Sequence, residues 1–180
     1  MKKGIYIIVG VVLVLLLIFF IDNLNSKSAT RETQPTAEEV PAANTAAVVP
    51  NELPMMSLTR LDGSSLMAKN LEGKTVLVLF QPDCDHCQRE AVQIRENLEA
   101  FDDYTIYFVS DAALPQLNQF AREYELADKN NIHFAQASVN DIIHALGPVE
   151  APSVFVYSEE GRLVSSFIGE TPIEEIKSAL

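Results

Sequence analysis

The chain has 180 residues, enough for one ordinary domain with further segments attached. Its 25 acidic and 13 basic side chains leave a formal charge of −12, which argues against a nucleic-acid binder that works by neutralising phosphates. Only two cysteines are present, three positions apart, so a disulfide framework is excluded; a loop that short restrains the unfolded chain little, and both count and spacing favour chemistry over stapling.

Met1-Lys2-Lys3 opens the chain and is followed by an uncharged apolar run of 18 residues, Gly4 to Ile21. That length is at the lower end for a membrane-spanning helix. Two lysines before it and Asp22 after it predict an N-terminus inside the cytoplasmic membrane and everything later outside. The rival reading is a cleaved signal peptide, which usually has a shorter apolar region and a small-x-small site soon after it; the nearest such site is Ser26-Lys27-Ser28, with a lysine inside it. No cysteine lies near residue 20, which argues against a lipid-modified terminus.

From Asp22 to Pro54 the composition turns to Ala, Pro, Thr, Asn and Ser, with Pro35, Pro41, Pro50 and Pro54 interrupting any helix. This reads as a solvated linker, able to reach on the order of 100 Å when fully extended. The expected organisation is residues 1–21 as a transmembrane anchor, 22–54 as a flexible linker and 55–180 as a folded domain.

Within the domain, Leu61-Asp62-Gly63-Ser64 is a turn signal between two short strands. Thr75 to Phe80 is a continuous β-rich apolar run, the pattern of a strand buried on both faces, and Pro82-Asp83 ends it. From Asp85 to about Ala100, Ala91, Ile94, Leu98 and Phe101 recur at helical spacing. A second buried strand, Thr105–Ser110, precedes a helix from Leu114 to about Tyr124. A weaker strand at Ile132–Ala135 leads into a short helix near Val139–Leu146. Ser153–Tyr157 and Leu163–Ile168 flank the hairpin signal Glu159-Glu160-Gly161, and Ile173 to Leu180 closes the chain as a helix. Two βαβ connections and a terminal hairpin predict an α/β fold: a mixed central sheet with helices on both faces.

The motif that carries chemistry is Cys84-Asp85-His86-Cys87, directly after the buried strand and at the start of a helix. This is the signature of the thioredoxin-like fold, and the resemblance spans about Met55 to Leu180. Within that fold the chain resembles the membrane-anchored, extracytoplasmic redoxins of the TlpA/ResA type. These carry an N-terminal anchor and an extra β-hairpin before the first core strand, here matched by Leu61-Asp62-Gly63 and Leu71-Glu72-Gly73-Lys74. The resemblance implies a three-layer fold and a cis peptide bond before Pro152, which places the Ala151 backbone opposite Cys84 to pair with a substrate strand. It also places a glutamate three residues after the second cysteine, here Glu90. Two positions depart from relatives: Asp83 stands where many have Trp, and Val78 stands where thioredoxin has a buried Asp. A proton acceptor then has to come from elsewhere, and Glu90 is the candidate.

At a helix N-terminus, unpaired N–H groups and the macrodipole favour a thiolate, so Cys84 is the expected nucleophile and Cys87, one turn on and buried, the expected resolving thiol. Asp85 and His86 are expected to tune the pair in opposite senses, a carboxylate disfavouring a thiolate and an imidazolium favouring it. Glu90, one turn beyond Cys87, is placed to take its proton. The expected activity is thiol–disulfide exchange, reduction preferred, on extracytoplasmic client proteins such as apocytochrome c, with a membrane electron donor and no cofactor beyond the dithiol itself. Zinc usually wants four ligands, and the chain offers two thiols and three histidines, of which His133 and His144 read as packed or surface residues. A copper-binding module of the Sco type is the alternative, but that family spaces its cysteines C-x-x-x-C. A peroxidase needs a Thr or Ser ahead of its cysteine, and Gln81 holds that position.

Overall fold

The computed structural model of the chain describes residues 51–180. The expected anchor and nearly all of the expected linker lie outside the described residues; among those described, no helix is long and apolar enough to cross a membrane. The elements run β1 (Ser57–Arg60), β2 (Ser65–Met67), β3 (Thr75–Leu79), α1 (Asp85–Glu96), β4 (Thr105–Ser110), α2 (Leu114–Glu123), β5 (Ile132–Gln136), α3 (Val139–Leu146), β6 (Ser153–Tyr157), β7 (Leu163–Ile168) and α4 (Ile173–Lys177).

They build one seven-stranded mixed sheet in the order β2-β1-β5-β4-β3-β6-β7. β3 pairs parallel to β4 and antiparallel to β6, and β4 pairs parallel to β5. The uninterrupted apolar run of β3 follows from this central place, where side chains meet a packed layer on either face. Val76, Val78 and Phe80 point to one face, against Ala91 and Ile94 of α1, Leu117 and Phe120 of α2 and Ile176 of α4. Leu77 and Leu79 point to the other, with Tyr107, Phe155, Tyr157, Met56, Leu58 and the apolar side of α3. The first face carries an aromatic cluster: Phe80 lies edge-on to Phe108 at 5.5 Å between centroids and 4.7 Å from Phe120.

The expected fold class is the one found, extra N-terminal hairpin included, with departures at the end of α1 and at residues 51–54. The β1–β2 hairpin joins the sheet through β1, which pairs antiparallel with β5, placing it at the edge farthest from the terminal hairpin. Helix α1 stops at Glu96 rather than near Ala100, because the Asn97 side chain donates to the Gln93 carbonyl at 2.9 Å and diverts the backbone; a 3-10 turn, Leu98–Phe101, then buries Phe101. Residues 51–54, expected as the end of the linker, pack on the β6–β7 turn: the Leu53 N–H donates to the Gly161 carbonyl at 2.8 Å and the Leu53 side chain is buried. Gly161 is required there, since its φ of +73° is left-handed and a Cβ on it would stand 3.2 Å from Leu53 Cδ1.

Candidate active site

The site forms where β3 ends and α1 begins. Cys84 is the N-cap residue of α1, with extended backbone, and its sulfur accepts the Cys87 N–H at 3.4 Å. A thiol thus occupies the place where Ser or Asp oxygens ordinarily satisfy the orphan donors of a first helical turn. Both cysteines are free thiols, Cys84 partly exposed and Cys87 buried. Burial, foremost, and the hydrogen bond to Cys84 push the Cys87 thiol up to about 12, while the Gln81 N–H, 3.4 Å from its sulfur, works in the opposite direction. The pair is therefore asymmetric: an accessible sulfur at the positive end of a helix, and a buried thiol that holds its proton behind it.

Glu90 lies one turn further along α1 and is only 1% exposed, so it is not a solvated helix charge. Its Oε2 accepts the Thr171 N–H at 3.0 Å, while Oε1 has no partner within the described residues. Burial raises its carboxyl to about 7 against the Thr171 hydrogen bond, with the negative charge of Glu170 adding to the rise. Its own charge is one of the smaller influences holding the Cys87 proton in place.

Opposite the dithiol, the Ala151–Pro152 peptide is cis, and the Ala151 carbonyl oxygen lies 3.9 Å from Cys84 Sγ. Asp85 and His86 sit on the exposed first turn of α1. The His86 ring meets Glu170 and Arg89: its Nδ1 is 2.6 Å from Glu170 Oε2 and 2.7 Å from Arg89 Nη2. One nitrogen cannot donate to the carboxylate and accept from the guanidinium together, so the tautomer decides which of the two contacts is a hydrogen bond. Arg89 grips Glu170 bidentately, Nε to Oε1 at 2.7 Å and Nη2 to Oε2 at 2.6 Å. Arg89 first and His86 second hold the Glu170 carboxyl down at about 2.

Sequence reasoning missed this second line of residues. Glu170 and Thr171 come from the segment between β7 and α4 and reach α1 from about 80 positions away, which no local spacing signals. The same docking continues with the Ile173 N–H donating to Gln93 Oε1 at 3.1 Å and Lys177 donating to Asn97 Oδ1 at 3.3 Å, so contacts along one stripe of α1 seat the C-terminal helix. Beside this seam, a groove of about 580 Å³ is lined by Asp85, Gln88, Arg89, Val92, Gln93, Tyr124 and Glu170. A depression of about 360 Å³ between Glu52 and Gly161 lies at the opposite end of β3 and is lined by neither cysteine.

The His133 ring lies 4.9 Å from Tyr107 between centroids, tilted by 38°, and among the described residues no three His, Cys, Asp or Glu side chains are grouped to hold a metal ion.

The AhpC/TSA family model matches residues 49–166, more than half of the chain and with both cysteines inside the match. The chain belongs to the AhpC/TSA family. The expectation of a thioredoxin-like redox enzyme is met at that level. The chain is 23% identical over 133 residues to the thiol-disulfide oxidoreductase ResA of Bacillus cereus, covering 72% of this chain and 75% of that protein. Among solved structures it is similar to DsbF of Mycobacterium tuberculosis, seen in mixed oxidized and reduced forms, with a TM-score of 0.59 at 21% identity over 73% of this chain and 96% of that one. It is also similar to copper-bound ScoI of Arabidopsis thaliana, with a TM-score of 0.57 at 16% identity over 72% of this chain and 94% of that one. These likenesses agree on a thioredoxin-like fold.

Proposed function

We propose that this AhpC/TSA-family chain is a membrane-tethered thiol–disulfide oxidoreductase that reduces or exchanges disulfides of proteins outside the cytoplasmic membrane. The observation that carries the reading is the division of labour in the dithiol: Cys84 Sγ caps the N-terminus of α1 and reaches solvent, while Cys87 is buried 3.4 Å behind it, measured from its amide. The ResA relative supports the activity, and the uncharged run from Gly4 to Ile21 after two lysines supports the tether.

The Cys84 thiolate attacks one sulfur of a client disulfide, forming a mixed disulfide and expelling the other client sulfur as a thiolate that takes up a proton. Cys87 then gives up its proton, its sulfur bonds to Cys84 Sγ, and the mixed disulfide breaks to release the second client thiolate. Two electrons pass to the client and the Cys84–Cys87 disulfide remains, to be reduced again by an external dithiol donor. Glu90 serves the second step as proton acceptor, because a carboxyl raised to about 7 takes and returns a proton near neutral pH. The Ala151 backbone beside Cys84 frames the client strand. Asp85 and His86 act on the pair through the field at the first turn of α1, without a hydrogen bond to either sulfur.

Replacing Cys84 by Ser abolishes turnover of a disulfide substrate with dithiothreitol as donor, while Cys87→Ser stops the reaction at a trapped mixed disulfide. Exchange that persists in Cys84→Ser overturns the proposal. The copper-bound Sco neighbour makes metal carriage the second reading. Tight binding of one Cu(I) together with an absence of disulfide exchange would select it.

A further inference from the structure

Gln81 is the first residue past Phe80, and its main chain touches both cysteines. Its carbonyl accepts the Cys84 N–H at 3.2 Å, and its N–H faces Cys87 Sγ at 3.4 Å. Its side chain is held at both ends. Oε1 accepts the Ser110 hydroxyl at 3.2 Å, and Nε2 donates to Asp111 Oδ1. Those two residues are themselves held: Ser110 is fully buried and its Oγ accepts the Ala112 N–H at 3.2 Å, and the Gln136 amide donates to the backbone carbonyls of Asp111 at 3.5 Å and Ala112 at 3.1 Å. A chain of polar side chains therefore ties the C-terminal ends of β3, β4 and β5 together and ends on the backbone of the dithiol turn.

We propose that Gln81, clamped by Ser110 and Asp111, is a positioning residue for the resolving step: it fixes a backbone N–H aimed at the sulfur of Cys87. The inference rests on the exchange reading above and assigns it a further part. When Cys87 loses its proton and attacks Cys84 Sγ, the negative charge on its sulfur has no solvent to stabilise it. An N–H already in place supplies that stabilisation with no reorganisation, and hydrogen bonds to a charged partner are about twice as strong as neutral ones. A Gln81 free to turn at the strand end would lose this aim. A simple brace would shift stability and leave the chemistry of Cys87 alone.

The two readings separate in a stopped-flow reaction of the full, reduced chain with 5,5′-dithiobis(2-nitrobenzoate). The first thionitrobenzoate is released in a second-order phase by Cys84, and the second in a first-order phase as Cys87 resolves the adduct. In Gln81→Leu and in Asp111→Ala, the ratio of second-phase to first-phase rate constants falls roughly tenfold, about 1.4 kcal/mol in the resolving barrier. Asp111→Asn, which keeps an acceptor at Oδ1, restores the ratio relative to Asp111→Ala. A ratio unchanged in both Gln81→Leu and Asp111→Ala, with circular dichroism showing folded chains, overturns the positioning role. If Gln81→Leu does not fold, the Asp111 pair decides alone. A parent chain that shows no second phase overturns the exchange reading itself, which is a different failure.

Discussion

Glu90 carries a carboxylic acid in a place where water cannot reach it, and its consequences are measurable in both stability and rate. Its value in the folded chain, about 7, lies above the ordinary 4.5, so between those values the folded chain binds more protons than the unfolded one. The contribution of the neutral carboxyl is fully present below about pH 4.5 and is lost as pH rises through about 7. With 1.36 kcal/mol for each pH unit between 4.5 and about 7, the loss is at most on the order of 3–4 kcal/mol. Urea midpoints taken from pH 4.5 to 8 therefore fall for the native chain and stay flatter for Glu90→Gln; parallel curves would contradict the assignment. The same substitution lowers steady-state exchange on the order of 100-fold and removes the inflection near neutrality from the pH–rate profile.

At the scale of elements, the strand β3, the helix α1 and both hairpins were legible because each is signalled locally. Thr75–Leu79 is apolar without a break, Ala91 and Ile94 keep helical spacing, and Gly63 and Gly161 mark the turns. The dithiol was legible for the same reason, since Cys84 and Cys87 lie within one helical turn. What spacing cannot show is which distant backbone a side chain meets. Glu90 meets Thr171 across 81 positions and Gln81 meets Asp111 across 30. In the sequence these residues are two acids, a threonine and an amide with no period linking them; only the docking of α4 on α1 and the alignment of strand ends join them. Hidden burial explains residues 51–54 in the same way, because one leucine in a proline-rich stretch has no pattern to announce it. The packing that aligns these parts is testable at Phe80, which is fully buried and in contact with Phe108 and Phe120 beneath the site. Phe80→Ala lowers unfolding stability by about 3–5 kcal/mol. Gln93→Ala, which removes only the bond to the Ile173 N–H, costs about 1 kcal/mol. Equal costs in denaturant titrations would contradict this ranking of core over seam.

For the molecule as a whole, the proposed function adds to the folded domain an expected linker and an expected membrane anchor, read from the sequence of residues 1–54. On that proposal, the formal charge of −12 on the whole chain biases encounters toward basic partners. The direction of electron flow is a property of the whole site: the N-terminus of α1, the buried Cys87, Glu90 and the Gln81 amide all act on one couple. A redox titration of the full chain against dithiothreitol buffers measures that couple directly. A two-electron Cys84/Cys87 couple is expected at a reducing potential, near the value of about −270 mV characteristic of thioredoxin. A potential near about −120 mV would contradict reduction as the preferred direction, and the absence of any intramolecular disulfide would contradict the account itself.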